Sequence, residues 1–144
     1  MLELLNHCRL CPRRCGVNRN AGERGFCGAD STVRVGRASL HYWEEPCLSG
    51  ERGSGTVFFS YCTLQCVYCQ NSQISHDHLG KEITLSRLAE IFLELQKKGA
   101  HNLNLVTPTH YVPQIITALD AAKAEGLSLP VVYNTSGYER AETL

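Results

Sequence analysis

Apolar positions divide the chain into two regions that meet near residue 55. Residues 1–55 are rich in Cys, Gly and Arg, and they contain one alternating segment, 32–37, that predicts a strand or half of a hairpin. Residues 56–144 instead alternate short apolar runs with amphipathic stretches. The first run, 56–60, is typical of a strand buried on both faces of a sheet. We therefore predict two units, a Cys-rich N-terminal module over 1–55 and an α/β unit over 56–144.

The α/β unit contains further elements that the spacing of its apolar residues predicts. A helix over 85–98 places its apolar side chains on one face, with Thr84 as its N-cap and Gly99 suited to the C′ position. The other predicted elements are strands over 102–106 and 130–134, a helix over 112–125 and a helix that opens at Glu139. This alternation predicts parallel strands joined by right-handed crossovers.

The order of elements places the chain in the α/β class, as a partial β/α (TIM-like) barrel. Three predicted strands are too few to close such a barrel, so the unit is expected to be truncated, behind a small Cys-rich metal-binding module. Open α/β sheets and β/α barrels both carry their sites at the carboxyl ends of the strands. We therefore expect the loops after 56–60, 102–106 and 130–134 to meet at one edge.

Charge and hydropathy narrow the classes of partner. Fourteen basic and fourteen acidic residues cancel, so no basic stripe predicts a nucleic-acid partner. No apolar run approaches the roughly 18–20 residues that cross a bilayer, and the first residues lack the cationic lead of a signal peptide. We predict a cytoplasmic protein without nucleic-acid or membrane partners. Its eight cysteines should then stay reduced, and metal binding explains them better than disulfides do.

Three cysteines, Cys62, Cys66 and Cys69, follow the strand predicted at 56–60 with the spacing C-x3-C-x2-C. Thiolates on so short a loop can face one metal centre together. They number one fewer than the ligands of a closed iron–sulfur or structural zinc site, which leaves a metal position open for a substrate or cofactor. The alternative is a closed zinc or ferredoxin-like site in which Cys47 supplies the missing thiolate; otherwise Cys47 is a small buried or free thiol.

Four further cysteines, Cys8, Cys11, Cys15 and Cys27, lie in the N-terminal module with the spacing C-x2-C-x3-C-x11-C. A segment with so little apolar core needs a stabilising cross-link, and a four-cysteine metal site would provide one. Zinc and iron–sulfur ligation both fit this spacing. A structural zinc ion and an auxiliary cluster that relays electrons therefore both remain open.

The loop motif, with an aromatic residue, Tyr68, directly before its last cysteine, resembles the signature of radical S-adenosylmethionine enzymes. A longer set of segments resembles the N-terminal part of the pyruvate formate-lyase activating enzyme-like subfamily, over nearly the whole chain. Those segments are 8–19, 25–29, 44–50, 53–56, 69–71, 107–110 and 134–138. In related sequences the residue before the first cluster cysteine is usually Gly, whereas Tyr61 stands here, so a positive φ at this position would be strained.

The resemblance implies a cofactor set and an activity. Cys62, Cys66 and Cys69 would bind a [4Fe–4S] cluster, and its remaining iron would bind S-adenosylmethionine. One electron, from a reductant such as flavodoxin or ferredoxin, would cleave S-adenosylmethionine to methionine and a 5′-deoxyadenosyl radical that abstracts hydrogen from a substrate, which can be a protein. No catalytic residue beyond the cluster ligands is assigned. The alternative from a different class is a non-catalytic iron–sulfur or zinc fragment that another chain completes.

The resemblance also implies contacts to S-adenosylmethionine. Tyr68 would lie near the adenine, and Asn134 and Ser136 would face the ligand from the third strand. Thr107 and Thr109 stand where many family members carry Gly-Gly-Glu to hold the methionyl amine, although a hydroxyl is a weaker acceptor than a carboxylate. Caps for the helix over 112–125 are the alternative for both threonines.

Overall fold

A computed structural model describes all residues, 1–144, as five strands in one open mixed sheet with the order β3-β1-β2-β4-β5. The strands are β1 (Val33–His41), β2 (Ser54–Phe59), β3 (Lys81–Ile83), β4 (Leu103–Val106) and β5 (Val131–Asn134). The α-helices are α1 (Pro46–Ser49), α2 (Ser72–Ser75), α3 (Leu85–Lys97) and α4 (Val112–Ala124). Short 3₁₀ turns cover Leu2–His7, Arg19–Ala21 and Thr109–Tyr111.

The predicted parallel unit is confirmed. β2 pairs parallel with β4, and β4 pairs parallel with β5, so that Val57, Leu105 and Tyr133 lie side by side. Their carboxyl ends therefore meet at one edge of the sheet. β1 adds an antiparallel neighbour on the other side of β2, and β3 pairs antiparallel with β1. The boundary predicted between residues 55 and 56 falls inside β2, because β1 of the N-terminal module shares its sheet.

The core lies between one face of the sheet and the helices α3 and α4. Val57 and Phe59 of β2 and Leu103 and Leu105 of β4 belong to one buried apolar cluster with the helices. α3 begins as predicted, because the Thr84 hydroxyl accepts a hydrogen bond from the Arg87 amide at 3.1 Å. Its buried side chains are Leu88, Ala89, Ile91, Phe92 and Leu95. Each large one contributes about 1.5–3 kcal/mol of hydrophobic stabilisation.

The helix predicted from Glu139 is wrong. Residues 141–143 form a single turn, closed by the Thr143 amide donating to the Arg140 carbonyl at 3.0 Å. Side chains of this segment bind elsewhere instead: Arg140 donates to the Arg9 carbonyl, and the Thr143 hydroxyl donates to the Leu10 carbonyl at 2.7 Å. The segment thus ties the N-terminal module to the carboxyl edge of the sheet.

The N-terminal module lies across that edge, although it has few apolar residues of its own. Gln114 at the start of α4 donates to the Ser31 carbonyl at 2.9 Å, and Gln65 donates to the Phe26 carbonyl at 3.2 Å. None of the helices combines the length and the apolar character that crossing a membrane requires.

Candidate metal centres

The loop that carries Cys62, Cys66 and Cys69, here called the cysteine loop (residues 62–69), leaves the carboxyl end of β2 as predicted. All three cysteines are partly buried and unpaired as disulfides. The Cys69 amide donates to the Cys66 carbonyl at 3.0 Å, which folds the second half of the loop into a turn. Because β2 is flanked by β1 and β4, the loop occupies the centre of the sheet edge and not its periphery.

Hydrogen bonds reach two of the three sulfur atoms of this loop. The amides of Leu64 and Gln65 point to Cys62 Sγ at 3.4 and 3.5 Å, and the Ser75 hydroxyl donates to Cys69 Sγ at 3.4 Å. Three cysteines on one loop are the donor set that an iron–sulfur cluster uses. No three His, Cys, Asp or Glu side chains of the chain surround one single-ion position. The fit to a cluster therefore rests on the donor chemistry of the loop.

Cys47 cannot complete this site as a fourth ligand. It lies exposed in α1, before the amino end of β2, whereas the cysteine loop begins after the carboxyl end. A strand of this length separates its two ends by roughly 20 Å, since each residue rises about 3.3 Å. The closed four-ligand alternative with Cys47 is therefore wrong, and the cysteine is a free thiol.

Tyr61 has the left-handed backbone that the comparison with Gly anticipated, with φ +72°. Burial of the side chain compensates the backbone strain, since Tyr61 is 3% exposed and the centre of its ring lies 4.4 Å from that of the His78 ring. Its amide donates to the Ile74 carbonyl at 3.1 Å. A Cβ on Gly28 would lie 3.2 Å from the Tyr61 ring, so the N-terminal module packs directly against it. The residue anchors the start of the cysteine loop.

The outer side of the cysteine loop is open to solvent. Val67 is 96% exposed and Tyr68 is 85% exposed, so neither side chain is held by the rest of the chain. The adenine contact of Tyr68 stays a prediction. Its ring is free to stack on a ligand.

The loop after β4 adjoins the cysteine loop through His110. Its Nε2 lies 2.8 Å from the Ser60 carbonyl, at the end of β2. Burial lowers the pKa of His110 to about 3, so the ring is neutral and donates from Nε2 to that carbonyl. The histidine therefore connects two loops of the site and carries no charge at neutral pH.

Thr107 and Thr109 are not helix caps, since neither the 3₁₀ turn nor α4 has a side-chain cap. Thr107 has a strained φ of +55°, and its amide donates to the Asn134 carbonyl at 2.9 Å. The Thr109 hydroxyl, which is buried, donates to Glu139 Oε1 at 2.6 Å and accepts from the Tyr133 hydroxyl at 3.2 Å. Its single proton is thus already engaged, and the predicted contact to a ligand would have to displace Glu139.

Glu139 was missed by the sequence reasoning. Its carboxylate accepts hydrogen bonds from Thr109, Thr135 and Tyr133, and it sits at the edge where the loops after β4 and β5 meet. Burial raises the pKa of Tyr133 to about 12, with the charge of Glu139 adding to the shift, so this phenol remains a donor. A carboxylate shortly after the third predicted strand was the only sequence signal. Ser136 is exposed and Asn134 partly buried beside this group.

The four cysteines of the N-terminal module come together around one cavity of about 20 Å³. A cavity of that size accommodates about one water molecule. The Cys8 amide donates to the Val17 carbonyl at 2.9 Å, and the Gly16 amide donates to the Cys8 carbonyl at 2.8 Å. Burial raises the pKa of the Cys11 and Cys27 thiols. These two thiols become thiolates readily only if a cation compensates the burial.

A buried arginine stands beside this cavity. Arg19 is 1% exposed, and its guanidinium donates to the Asp30 carbonyl at 3.1 and 2.6 Å and to the His110 carbonyl at 2.5 Å. The Cys8 sulfur is 3.8 Å from its Nη1, and no carboxylate lies within ion-pair distance. Sequence patterns mark Arg19 only as one arginine among several.

Comparison with known proteins gives a family and one relative. A family model described as "4Fe-4S single cluster domain" matches residues 48–143, a span that includes the cysteine loop and excludes the four cysteines of the N-terminal module. "Uncharacterized protein MJ0674" of Methanocaldococcus jannaschii is 31% identical over 148 residues. The alignment covers 96% of this chain and 41% of that protein, so the chain spans less than half the length of this relative. No solved structure matches.

Proposed function

The chain belongs to the 4Fe-4S single cluster domain family, and from that premise we propose that it is a radical S-adenosylmethionine protein. Family membership accounts for the [4Fe–4S] cluster itself. The proposal adds that Cys62, Cys66 and Cys69 are its only protein ligands and leave one iron open. The observation that carries it is the position of these cysteines, on a loop at the centre of the carboxyl edge whose outer side is exposed.

When bound and reduced by one electron from a flavodoxin- or ferredoxin-type donor, such a cluster would cleave the S–C5′ bond of S-adenosylmethionine. The products would be methionine and a 5′-deoxyadenosyl radical, which would take a hydrogen atom from the substrate. The chain's own residues set the surroundings. The Leu64 and Gln65 amides and the Ser75 hydroxyl stabilise negative charge on the sulfurs. Tyr61 and His110 hold the two ends of the site together.

Recognition of the S-adenosylmethionine amino group is assigned to Glu139 in this proposal. A carboxylate binds an ammonium group more strongly than a threonine hydroxyl does, because both partners are charged. Thr109 and Tyr133 orient this carboxylate. Tyr68 supplies the flat surface for adenine, and Asn134 and Ser136 line the same edge. The strands belong to a partial β/α barrel, and the radical acts on a protein substrate in the whole protein.

A second candidate is a metal-binding unit without catalytic activity that another chain completes. The observation in its favour is the edge strand β5, which pairs only with β4 and leaves Val131 40% exposed. An unpaired strand of this kind is a template for a further strand.

The test is electron paramagnetic resonance of the anaerobically reconstituted, reduced chain with and without S-adenosylmethionine. The first candidate predicts a reduced-cluster signal that changes on addition of S-adenosylmethionine, and 5′-deoxyadenosine detected by mass spectrometry. Glu139→Gln should weaken the S-adenosylmethionine effect and keep the cluster, while Ser128→Ala, remote from the edge, should change neither. A cluster signal that S-adenosylmethionine leaves unchanged would overturn the first candidate in favour of the second.

A further inference from the structure

We propose that Cys8, Cys11, Cys15 and Cys27 together bind one zinc ion, separate from the iron–sulfur cluster, with Arg19 as its buried counter-charge. The family match does not extend to these cysteines, so the assignment rests on their surroundings alone. It stands independently of the radical chemistry proposed for the cysteine loop.

The donor set suits a zinc ion. All four cysteines line one cavity. Zinc holds four thiolates at about 2.3 Å in a tetrahedron. The spacing of the cysteines left zinc and iron–sulfur ligation open, and we favour zinc because the protein then fills all four ligand positions of a structural site.

The balance of charge favours a bound metal centre over four free thiols. Arg19 is buried with only carbonyl oxygens and the Cys8 sulfur as partners, and a buried guanidinium without an anion is costly. A divalent ion with four thiolates carries a net charge of two minus. Arg13 also lines the cavity and donates to the Thr63 carbonyl at 3.1 Å, so two arginines offset that charge. Four neutral thiols would leave the buried cation uncompensated.

The backbone around the cavity approaches the cysteine sulfurs closely. The Phe26 amide donates to Cys15 Sγ at 3.5 Å. A Cβ added to Gly25 would lie 2.8 Å from the same sulfur, so only Gly allows the chain to approach so closely. Gly16, with φ +72°, turns the chain between Cys15 and Val17. These are the local features that metal-binding turns require.

The four sulfurs line the cavity without yet converging on one point. Cysteine has one torsion between backbone and sulfur, so the zinc site requires rotation of these side chains toward one another. Zinc binding is then coupled to the folding of the N-terminal module.

The zinc site also supports the cysteine loop. Thr63, directly after Cys62, lines the cavity, and its carbonyl accepts the hydrogen bond from Arg13. Its hydroxyl is buried without a partner. Loss of zinc should therefore loosen the backbone at the first cluster ligand and lower cluster occupancy.

The experiment measures zinc and iron in the full chain, purified anaerobically, and then follows Co²⁺ titration of the metal-free chain. We expect one zinc per chain and, with Co²⁺, the intense thiolate-to-metal absorption and tetrahedral d–d bands of a four-thiolate site. Cys27→Ser and Cys15→Ser should lose this signal, and the matched variant Cys47→Ser should keep it. Cys62→Ala should lose cluster iron and retain zinc, which separates this site from the cluster.

Two results would overturn the inference. One is iron and sulfide, with no zinc, in the chain that carries Cys62→Ala. The other is a Co²⁺ spectrum of the unsubstituted chain without four-thiolate bands. The second measurement needs no substitution in the module, so a variant that fails to fold does not leave the question open.

Discussion

The chain carries two sets of cysteines in contrasting surroundings. Around the cavity of the N-terminal module, four cysteines, of which Cys27 is buried and Cys15 exposed, lie beside a buried arginine. On the cysteine loop, three thiols lie beside Val67 and Tyr68, whose side chains are almost fully exposed. The ligand atom is the same in both. What differs is the number of cysteines in each set and the presence of a buried arginine beside only one of them.

That difference separates a structural role from a chemical one. A metal enclosed by protein ligands contributes its binding energy to folding, because the unfolded chain has no preformed site. A metal with one open position can bind a substrate or cofactor there. The two sites meet at Thr63, which lines the cavity and follows Cys62, so the enclosed site can stiffen the open one.

The largest expected effect concerns the open site. Substituting Cys62, Cys66 or Cys69 singly by Ala should abolish the [4Fe–4S] cluster, because the cysteine loop holds no further thiol to replace the lost ligand. Cluster absorbance and iron and sulfide per chain after anaerobic reconstitution measure this. Cys47→Ala is the matched control and should keep a full cluster. Loss of the cluster in this control as well would mean that the site has four protein ligands.

Next in size is Arg19→Met, which tests the enclosed site. Removing the buried charge leaves the thiolate centre uncompensated and the Asp30 and His110 carbonyls without donors. We expect a loss of about 3–5 kcal/mol in the free energy of unfolding of the zinc-loaded chain, measured by denaturant titration. Arg24→Met is the control, since Arg24 pairs with Asp30 at the surface and should contribute about 0–1 kcal/mol. Equal effects of the two substitutions would remove the counter-charge argument.

Tyr61→Gly compares the free energy of backbone strain with that of side-chain packing. Tyr61 lies where the N-terminal module contacts the start of the cysteine loop. Relief of the left-handed backbone should contribute about 1–2 kcal/mol. Loss of the buried ring should cost about 3–5 kcal/mol. The loss of packing therefore exceeds the relief of strain. We expect a net loss of about 2 kcal/mol in the free energy of unfolding, measured by thermal or denaturant unfolding. Tyr68→Gly, at an exposed ring, should change stability by less than about 0.5 kcal/mol. A more stable Tyr61→Gly chain would show that strain dominates.

The smallest expected effect is at the start of α3, outside both sets of cysteines. It serves as a reference for the effect of global stability on metal content. Thr84→Ala removes the N-cap of α3 and should cost about 1 kcal/mol, while zinc and iron contents stay unchanged. Thr84→Ser keeps the hydroxyl acceptor and should recover most of that loss. A change in metal content with Thr84→Ala would mean that global stability, and not the local surroundings, controls both sites.

Sequence reasoning found the parallel unit and the position of the cysteine loop but missed other parts of the fold. β3 was not predicted, because Lys81 and Glu82 are exposed and the strand holds only through pairing with β1. The antiparallel pairing of β1 with β2 was also missed, since its partner lies across a long connection. The partners of Glu139 come from two other segments of the edge, which a local pattern cannot reveal.

By itself, the sequence determined the cysteine spacing, the N-cap at Thr84, the amphipathic helix α3 and the strands that place the cysteine loop at the carboxyl edge. These depend on neighbours within a few residues, where periodicity and turn chemistry act. Only the tertiary structure decided that Cys47 lies at the opposite end of β2, that Arg19 is buried beside four thiols, and that Thr63 joins the two sites. Burial and charge compensation depend on residues far apart in the chain, and they exist only once the chain has folded.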